Sequence, residues 1–418
     1  MARRVQTVYL LLTALSTLSA SLIWGVNTLF LLDAGLDNTG AFTANAFFTA
    51  GQVLFEIPTG VLADVWGRRR SYLLGAATLL VSTLLYVFMW HARAPLWGWA
   101  VASALIGLGF TFFSGATEAW LVDALAASGF EGPLERVFAR GQIVEGAAML
   151  VGAVGGGLLA QATNLGVPYL LRSVLLGLTL LAAFLFMKDL GFTPQRGQSL
   201  VAEVRTVIHA SLEGGWRNPP VRWLMLAAPF TLGVSMYAFY ALQPYLLQLY
   251  GDKKAFWIAG LAAAIVAGTD ILGGLSVPLF RRVFRHRTHV LLLAAGLSAA
   301  CLVVLGRTSR FSVALVCVTV WGFMFALNRP VRQAFVNGLV PSAQRATVLS
   351  FDNLMTSAGG MVSQPVLGRV ADASGYAASY LVCAGVHLAA LPFLLLAHHE
   401  KAASDTIDAG PPPAPTVP

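Results

Sequence analysis

The chain alternates long apolar stretches with short polar segments. A membrane-spanning helix needs about 20 apolar residues, and twelve stretches reach that length. We predict spans 1 to 12 at roughly 8–32, 41–64, 71–90, 96–126, 137–163, 167–187, 222–249, 255–280, 288–306, 311–338, 344–371 and 376–397. The pattern therefore predicts an all-α integral membrane protein with twelve transmembrane helices.

The composition supports this class of protein. Of the 418 residues, 57% are hydrophobic and 11% are charged, whereas soluble domains carry about 25% charged residues. The net charge of +8 could indicate nucleic-acid binding, but in so apolar a chain Lys and Arg in cytoplasmic loops explain it better. The first apolar stretch exceeds a signal-peptide core of about 7–15 residues, so we interpret it as span 1.

The basic residues are sorted between alternate loops. With the N-terminus in the cytoplasm, about eighteen Lys and Arg residues fall on the cytoplasmic side and about five on the outer side. This asymmetry is the one that the positive-inside rule describes. We therefore predict a multi-pass protein of the inner or plasma membrane with both termini in the cytoplasm.

The longest polar gap divides the chain into two sets of six spans. We predict an N-terminal bundle at 1–188, a cytoplasmic linker at 189–221 with a possible amphipathic turn at 200–212, a C-terminal bundle at 222–400 and a disordered tail at 401–418. The halves resemble each other weakly when one is shifted by about 210 residues, as in transporters built from repeats.

The most specific motif lies between spans 2 and 3, where residues 58–70 read PTGVLADVWGRRR. Gly60 and Asp64 lie one helical turn apart, and Gly67 should end the helix. The segment resembles the loop signature of the major facilitator superfamily, Gly-x-x-x-Asp-x-x-Gly-Arg-Arg/Lys. The matching residues are Gly60, Asp64, Gly67, Arg68 and Arg69. A second copy after span 8 keeps two arginines but has no aspartate.

The resemblance implies two pseudo-symmetric six-helix bundles around a central cavity, with this loop as a conformational latch. Asp64 would face the N-terminal end of span 11, where backbone dipoles favour an anion. Arg68 would pair with Asp64 and with Asp123 at the foot of span 4. An ordinary basic anchor remains the alternative, above all for Arg69 and Arg70.

Span 5 carries a second motif that resembles the superfamily's antiporter pattern, Gly-Pro-x-x-Gly-Gly. Gly152, Gly156 and Gly157 match it, and Ala153 replaces the proline. The small residues also predict tight helix packing, and both interpretations stay open.

Ionisable groups inside membrane spans are costly and commonly functional. We predict that a subset of the acidic residues in spans 2, 4, 5 and 8 couples transport to protons, while capping or pairing with arginine is the alternative role. The candidates are Glu56, Glu118, Glu145 and Asp270.

Polar and aromatic residues in spans 1, 7 and 10 are candidates for the wall of a substrate cavity. They are Asn27, Gln243, Tyr237, Tyr240, Asn328, Arg329 and Arg332. Arg329 and Arg332 share a helix face and need an anion, which could be Glu118 across the pseudo-twofold axis or a substrate group. The aromatic residues could equally serve packing.

These features favour a drug/proton antiporter-like exporter of hydrophobic compounds, which resembles one branch of the superfamily. The alternative is a symporter or facilitator that imports a small polar or anionic metabolite. We find no catalytic constellation, nucleotide-binding loop or metal-ligand spacing, so we do not expect an enzyme or a cofactor. The expected partners are a small-molecule substrate, protons and the lipid bilayer, with no nucleic acid, and we expect a monomer.

Overall fold

The computed structural model describes residues 1–192, 215–340 and 342–407. Within these ranges, eleven segments are long and apolar enough to cross a membrane, and the last of them, Val348–His399, contains 52 residues. As one helix it would be about 78 Å long, more than twice the hydrocarbon core of a bilayer. Gly375, with φ 83° and ψ 167°, divides it into two spans. The chain is an all-α membrane protein, and the described part forms twelve spans.

The helices occur along the chain in the predicted order. Spans 1 to 6 are Ala2–Trp24 with Asn27–Asp33, Asn38–Trp66, Arg68–Ala92, Leu96–Thr111 with Ala116–Ala127, Leu134–Ala162, and Val167–Phe186. Spans 7 to 10 are Pro219–Ala227 with Val234–Tyr250 across the π-helical turn Pro229–Gly233, then Trp257–Val283, Arg287–Arg307 and Phe311–Asn337. Spans 11 and 12 are the two parts of Ser342–Leu388, and Leu391–His399 continues span 12.

Gly67 separates spans 2 and 3 at the point where the sequence predicts a break. Its φ of 104° and ψ of 149° end one helix at Trp66 and let the next begin at Arg68. A residue with a Cβ atom rarely adopts this conformation. The turn therefore depends on glycine.

The two halves share one core at one end of the molecule and have separate cores at the other. We call the end that holds Ala2 and His399 the termini side, and the other end the opposite side. On the opposite side, one cluster of buried residues combines both halves, including Phe30, Phe42, Tyr237 and Tyr245. On the termini side, one cluster around Leu12 and Trp120 belongs to the first half and another around Leu224 and Phe335 to the second.

Hydrogen bonds between the halves follow the same division. Asp372, near the end of span 11, accepts four hydrogen bonds from the backbone and side chains of Asn38 and Thr39 at the start of span 2. Gln243 of span 7 bonds the Trp24 carbonyl and the Thr28 amide, beside the break in span 1. In the described ranges, every hydrogen bond between the halves lies on the opposite side. The molecule is thus closed there and open on the termini side.

A repeated helix cap relates the two halves. Asp189, after span 6, accepts a 2.8 Å hydrogen bond from the Arg69 amide at the start of span 3. Asp405, after span 12, accepts one of 2.8 Å from the Thr288 amide at the start of span 9. A carboxylate in this position satisfies amides that have no partner within the helix. The matching caps agree with an internal repeat of six spans.

The same caps change two predicted boundaries. Asp189, assigned to the linker, belongs to the first bundle, and residues 193–214 with the predicted amphipathic turn lie outside the described ranges. The predicted disordered tail begins at 401, but the turn Ala403–Asp405 docks on the second bundle because Asp405 caps span 9. The Ile407 amide continues this docking by donating to the Arg285 carbonyl. Residues 408–418 lie outside the described ranges.

The glycines of span 5 permit very close helix packing. A Cβ atom added at Gly152 would lie 1.9 Å from Ser21 Oγ, and one added at Gly156 would lie 1.9 Å from the Leu22 carbonyl oxygen of span 1. At Gly157 an added Cβ would lie 2.7 Å from the Gly260 Cα of span 8, across the two halves. The nearest atoms at Gly156 and Gly157 belong to backbone, so only glycine fits there without a backbone shift.

We expect Gly156→Ala to destabilise the protein by about 1–3 kcal/mol, because the added methyl group meets backbone that cannot move aside easily. The measurement is the apparent Tm of purified protein in detergent. Gly155→Ala is the matched control, since an added Cβ at Gly155 has no neighbour within 4 Å and alanine favours a helix. Equal Tm values for the two variants would contradict the packing role.

Candidate functional site

A small central cavity lies where the shared core of the opposite side begins. Its volume is about 40 Å³. Spans 1, 2, 3, 4, 6 and 7 contribute its lining. The lining residues are Ile23, Trp24, Asn27, Asn45, Phe48, Tyr86, Ile106, Phe110, Arg172 and Tyr240. Half of these residues are aromatic, and the others are two isoleucines, two asparagines and one arginine.

Arg172 is the charged member of this wall, and its side chain is almost fully buried, since the residue is 1% exposed. Its Nε donates to Thr83 Oγ1 at 3.1 Å, and its guanidinium carbon lies 5.8 Å from the centre of the Phe110 ring. Its Nη2 is buried and has no hydrogen-bond partner. None of the ion pairs found in the described ranges includes Arg172.

A second N–H donor at the same cavity also lacks an acceptor. Asn27 Nδ2 donates to Asn45 Oδ1 at 2.8 Å, and the Tyr169 hydroxyl donates to Asn27 Oδ1 at 2.8 Å. Both amide oxygens are therefore engaged, while Asn45 Nδ2 is buried without a partner. Unpaired buried donors are costly. The cavity offers free donors, one of them charged, to a molecule that brings acceptors.

The predicted cavity residues of spans 1 and 7 fall into two groups. Asn27 and Tyr240 line the cavity. Gln243 is 2% exposed and closes the break in span 1. Tyr237 is fully buried and its hydroxyl donates to Ser379 of span 12, so Tyr237 packs in the shared core rather than at the cavity.

Arg332 of span 10 already has a protein partner. Its Nε donates to Asp352 Oδ2 at 2.9 Å, and its Nη2 donates to Asp352 Oδ1 and to the Leu224 carbonyl. The anion that pairs with Arg332 is therefore Asp352 of span 11, and not Glu118. Arg329 is exposed, and the buried Asn328 Oδ1 has no partner. These three residues do not line the central cavity.

The predicted proton-coupling acids are accessible in this open form. Glu56 is exposed and accepts a 2.8 Å hydrogen bond from Ser114 Oγ. Glu118 and Glu145 are also exposed and lie close enough to interact electrostatically with each other and with Tyr9. Asp270 is exposed on span 8. Glu118 and Glu145 are the pair that the structure brings together.

The loop between spans 2 and 3 makes contacts within the first bundle. Arg68 Nη1 lies 2.5 Å from Asp64 Oδ1. The carboxylate of Asp123 makes no ion pair or hydrogen bond within the described ranges, so Arg68 is not joined to it in this form. The predicted contact of Asp64 would be with residues 341–344 at the start of span 11. Their side chains lie outside the part of the chain that the structure describes.

Arg69 has a role that the sequence did not indicate. Its guanidinium donates to the Phe184 carbonyl at 2.7 Å and lies 5.4 Å from the centre of the Phe184 ring, at the end of span 6. Together with the Asp189 cap, this contact ties span 3 to span 6. An added Cβ at Gly60 would have no neighbour within 4 Å, so this face of span 2 is open.

Solved transporter structures share this fold along almost the whole chain. The nucleoside transporter NupG has a TM-score of 0.77 at 12% identity, and the alignment covers 94% of this chain and 98% of that one. The peptide transporter PepTSo has a TM-score of 0.73 at 15% identity and covers 96% and 99%. The human organic anion transporter MFSD10 has a TM-score of 0.62 at 17% identity and covers 94% and 99%. At these identities the likeness concerns the fold.

A search of curated protein sequences finds no match to this chain. The sequence model of the Major Facilitator Superfamily, however, matches residues 9–326 and 271–418. The matches cover nearly the full length, including the loop between spans 2 and 3 and both bundles. The chain therefore belongs to the Major Facilitator Superfamily and is a membrane transporter of that type.

Proposed function

We propose that this transporter carries a small organic anion through the central cavity by alternating access. The observation that carries the proposal is Arg172, a buried cation that has no acidic partner in the described part of the chain. An uncompensated buried charge is strongly unfavourable, and an anion of the substrate would compensate it. Asn45 Nδ2 adds a second free donor to the same wall.

The remainder of the wall indicates the body of the substrate. Trp24, Phe48, Phe110 and Tyr240 surround the two donors with aromatic surface. Such a wall favours an amphipathic molecule that has an apolar or aromatic body and one acidic group. The proposed substrate therefore has the negative charge of the predicted anionic metabolite and the apolar body of the predicted exported compounds.

The orientation follows from the basic loops. We place both termini in the cytoplasm, so that the described form is open to the cytoplasm and closed to the outside. In the other form of the cycle the latch residues Asp64 and Arg68 would close the cytoplasmic side against the second bundle. We propose that the transporter works as a monomer, with one complete cavity per chain.

The proposal is tested by transport in proteoliposomes. Radiolabelled benzoate, phenylacetate and indole-3-acetate are the probes, and the corresponding neutral amides are controls of equal size. We expect uptake of at least one carboxylate, and a pH gradient should drive its accumulation. Transport of the amides at the rate of the acids would contradict a role for the negative charge.

The same assay tests the proton-coupling residues. We propose that Glu118 and Glu145 carry the transported proton, because they are the two coupling candidates that lie close together. The Glu118→Gln, Glu145→Gln double variant should lose accumulation driven by the pH gradient but keep exchange of labelled for unlabelled substrate. Glu135→Gln, an exposed acid at the start of span 5, is the matched control. Unchanged accumulation in the double variant would contradict the assignment.

A second candidate function is proton-coupled efflux of hydrophobic compounds, including cations. The exposed carboxylates Glu118 and Glu145 favour it, because they lie near the opening between the halves and could attract a cation. Lipophilic cationic dyes in the same proteoliposomes distinguish the two functions. Transport of the dyes without transport of carboxylates would favour efflux of cations over the anion proposal.

A further inference from the structure

A cluster of imidazole and carboxylate groups lies on the termini side of the second bundle, far from the central cavity. His286 precedes span 9, His398 lies near the end of span 12, and Asp405 lies in the turn that follows. His286 Nδ1 and His398 Nδ1 each lie 3.3 Å from Asp405 Oδ2. All three potential ligand atoms lie within 4.8 Å of one another.

We propose that these three residues bind a divalent transition-metal ion of the Zn²⁺ type. In a tetrahedral site with ligands about 2.1 Å from the metal, two ligand atoms are about 3.4 Å apart. The two His–Asp separations agree with that edge length. Two imidazole nitrogens and a carboxylate oxygen form a donor set that suits Zn²⁺, Co²⁺ or Ni²⁺ better than Ca²⁺ or Mg²⁺.

The surroundings hold the ligands in place. Asp405 is nearly fully buried, and its Oδ1 accepts the Thr288 amide, which orients Oδ2 toward the two imidazoles. The Thr288 hydroxyl donates to Asp405 Oδ2 at 2.9 Å and lies 2.8 Å from His398 Nδ1, a contact that a metal bound to this nitrogen would replace. His286 Nδ1 is buried and makes no hydrogen bond, so a metal at this nitrogen would displace no hydrogen-bond partner. Hydrogen-bonded neighbours of this kind orient metal ligands in known sites.

His289 is a candidate for the fourth ligand of the metal. The exposed ring of His289 lies with its centre 4.6 Å from that of His398 and 5.0 Å from that of His286. A modest side-chain rotation or a water molecule would complete the shell. The nearby cation Arg287 is directed to the carbonyls of Ser404 and Thr406.

The site in the second bundle lies at the position that corresponds to the Asp189 cap in the first bundle. There, Asp189 lies against Gly67, and an added Cβ at Gly67 would be 2.6 Å from Asp189 Oδ2. In the second bundle, Asp405 meets His286 and His398 instead. A metal would therefore fasten the segment after span 12 to the loop between spans 8 and 9. This inference does not depend on the proposed substrate.

The test is Zn²⁺ titration of the purified full-length protein, stripped with a chelator and free of any polyhistidine tag, by isothermal calorimetry. We expect saturable binding of one ion per chain and a raised Tm. A Co²⁺ titration of the same protein should give the intense visible absorption of a tetrahedral site. The His286→Ala, His398→Ala double variant should lose saturable binding of both ions.

His399→Ala is the matched control, because His399 follows His398 directly but is not one of the three ligands. It should bind Zn²⁺ as the unsubstituted chain does. If the double variant does not elute as a single species, the single variant His286→Gln replaces it. Absence of saturable binding in the unsubstituted chain, or equal binding in the ligand variants and in His399→Ala, would overturn the proposal.

Discussion

Arg172→Met is expected to weaken binding of the proposed anionic substrate strongly and, at the same time, to make the substrate-free protein more stable. Loss of a charged hydrogen-bond donor costs about 1.5–3 kcal/mol, or roughly 10- to 150-fold in affinity. Removal of a buried cation that has no acidic partner in the described ranges should stabilise the protein by about 1–3 kcal/mol, because methionine fills similar volume without a desolvation cost. Opposite effects on binding and stability are typical of a functional residue rather than a structural one.

The measurement combines two readouts on the same purified protein. Apparent Tm without substrate reports stability, and the Tm shift with each carboxylate probe reports binding. Arg172→Lys should bind more weakly than the unsubstituted chain, since lysine keeps the charge but lacks the planar guanidinium. Arg329→Met is the matched control, because Arg329 is exposed and lies away from the cavity. A less stable Arg172→Met that still binds anions would contradict the proposed role.

The spans were predictable from the sequence because their length is a physical requirement. A helix that crosses the bilayer must be apolar over about 20 residues, and the described helices follow the predicted order. The break at Gly67 was predictable for a similar reason, since glycine readily adopts a positive φ. Breaks inside spans 1 and 4 were missed, because neighbouring helices satisfy the interrupted backbone there.

Arg172 was not found from the sequence, although a charge within a span was the available signal. Arg172 lies near the start of Val167–Phe186, where a long side chain can also reach the membrane surface. Only the packing of spans 3 and 4 against span 6 shows that the guanidinium is directed inward. Likewise, the sequence indicated that Arg332 needs an anionic partner, but it did not show that this partner is Asp352 rather than Glu118.

The two aspartate caps and the histidine cluster could not be predicted from the sequence, because their residues are far apart along the chain. Asp189 meets Arg69 across 120 positions, and Asp405 meets Thr288 across 117. Spans 9 to 11 and most of span 12 lie between His286 and His398. Metal ligands this far apart have none of the short spacings by which sequence motifs are identified. Such contacts follow from the docking of helices rather than from local pattern.

Asp372→Ala is expected to open the opposite side of the molecule and to shift the transporter toward the form that is open on that side. The variant removes four hydrogen bonds that join span 11 to the start of span 2. Because Asp372 is exposed to water, which weakens each of these bonds, we expect a net shift of about 2 kcal/mol, or roughly 30-fold in the ratio of the two forms.

Distances between spin labels measure this shift directly. Labels at Ala92→Cys in the first half and Lys253→Cys in the second lie at exposed positions on the opposite side, and the native Cys301, Cys317 and Cys383 are buried. Asp33→Ala is the matched control, since Asp33 is an acid on the same side whose hydrogen bond to Trp90 stays within one half. Asp372→Ala should lengthen the label distance, and Asp33→Ala should not. If both variants keep the short distance, then the Gln243 hydrogen bonds, the aromatic core and the glycine contact between spans 5 and 8 hold the opposite side closed without Asp372. In that case the substrate must overcome these remaining contacts, rather than the four hydrogen bonds of Asp372, when the transporter changes form.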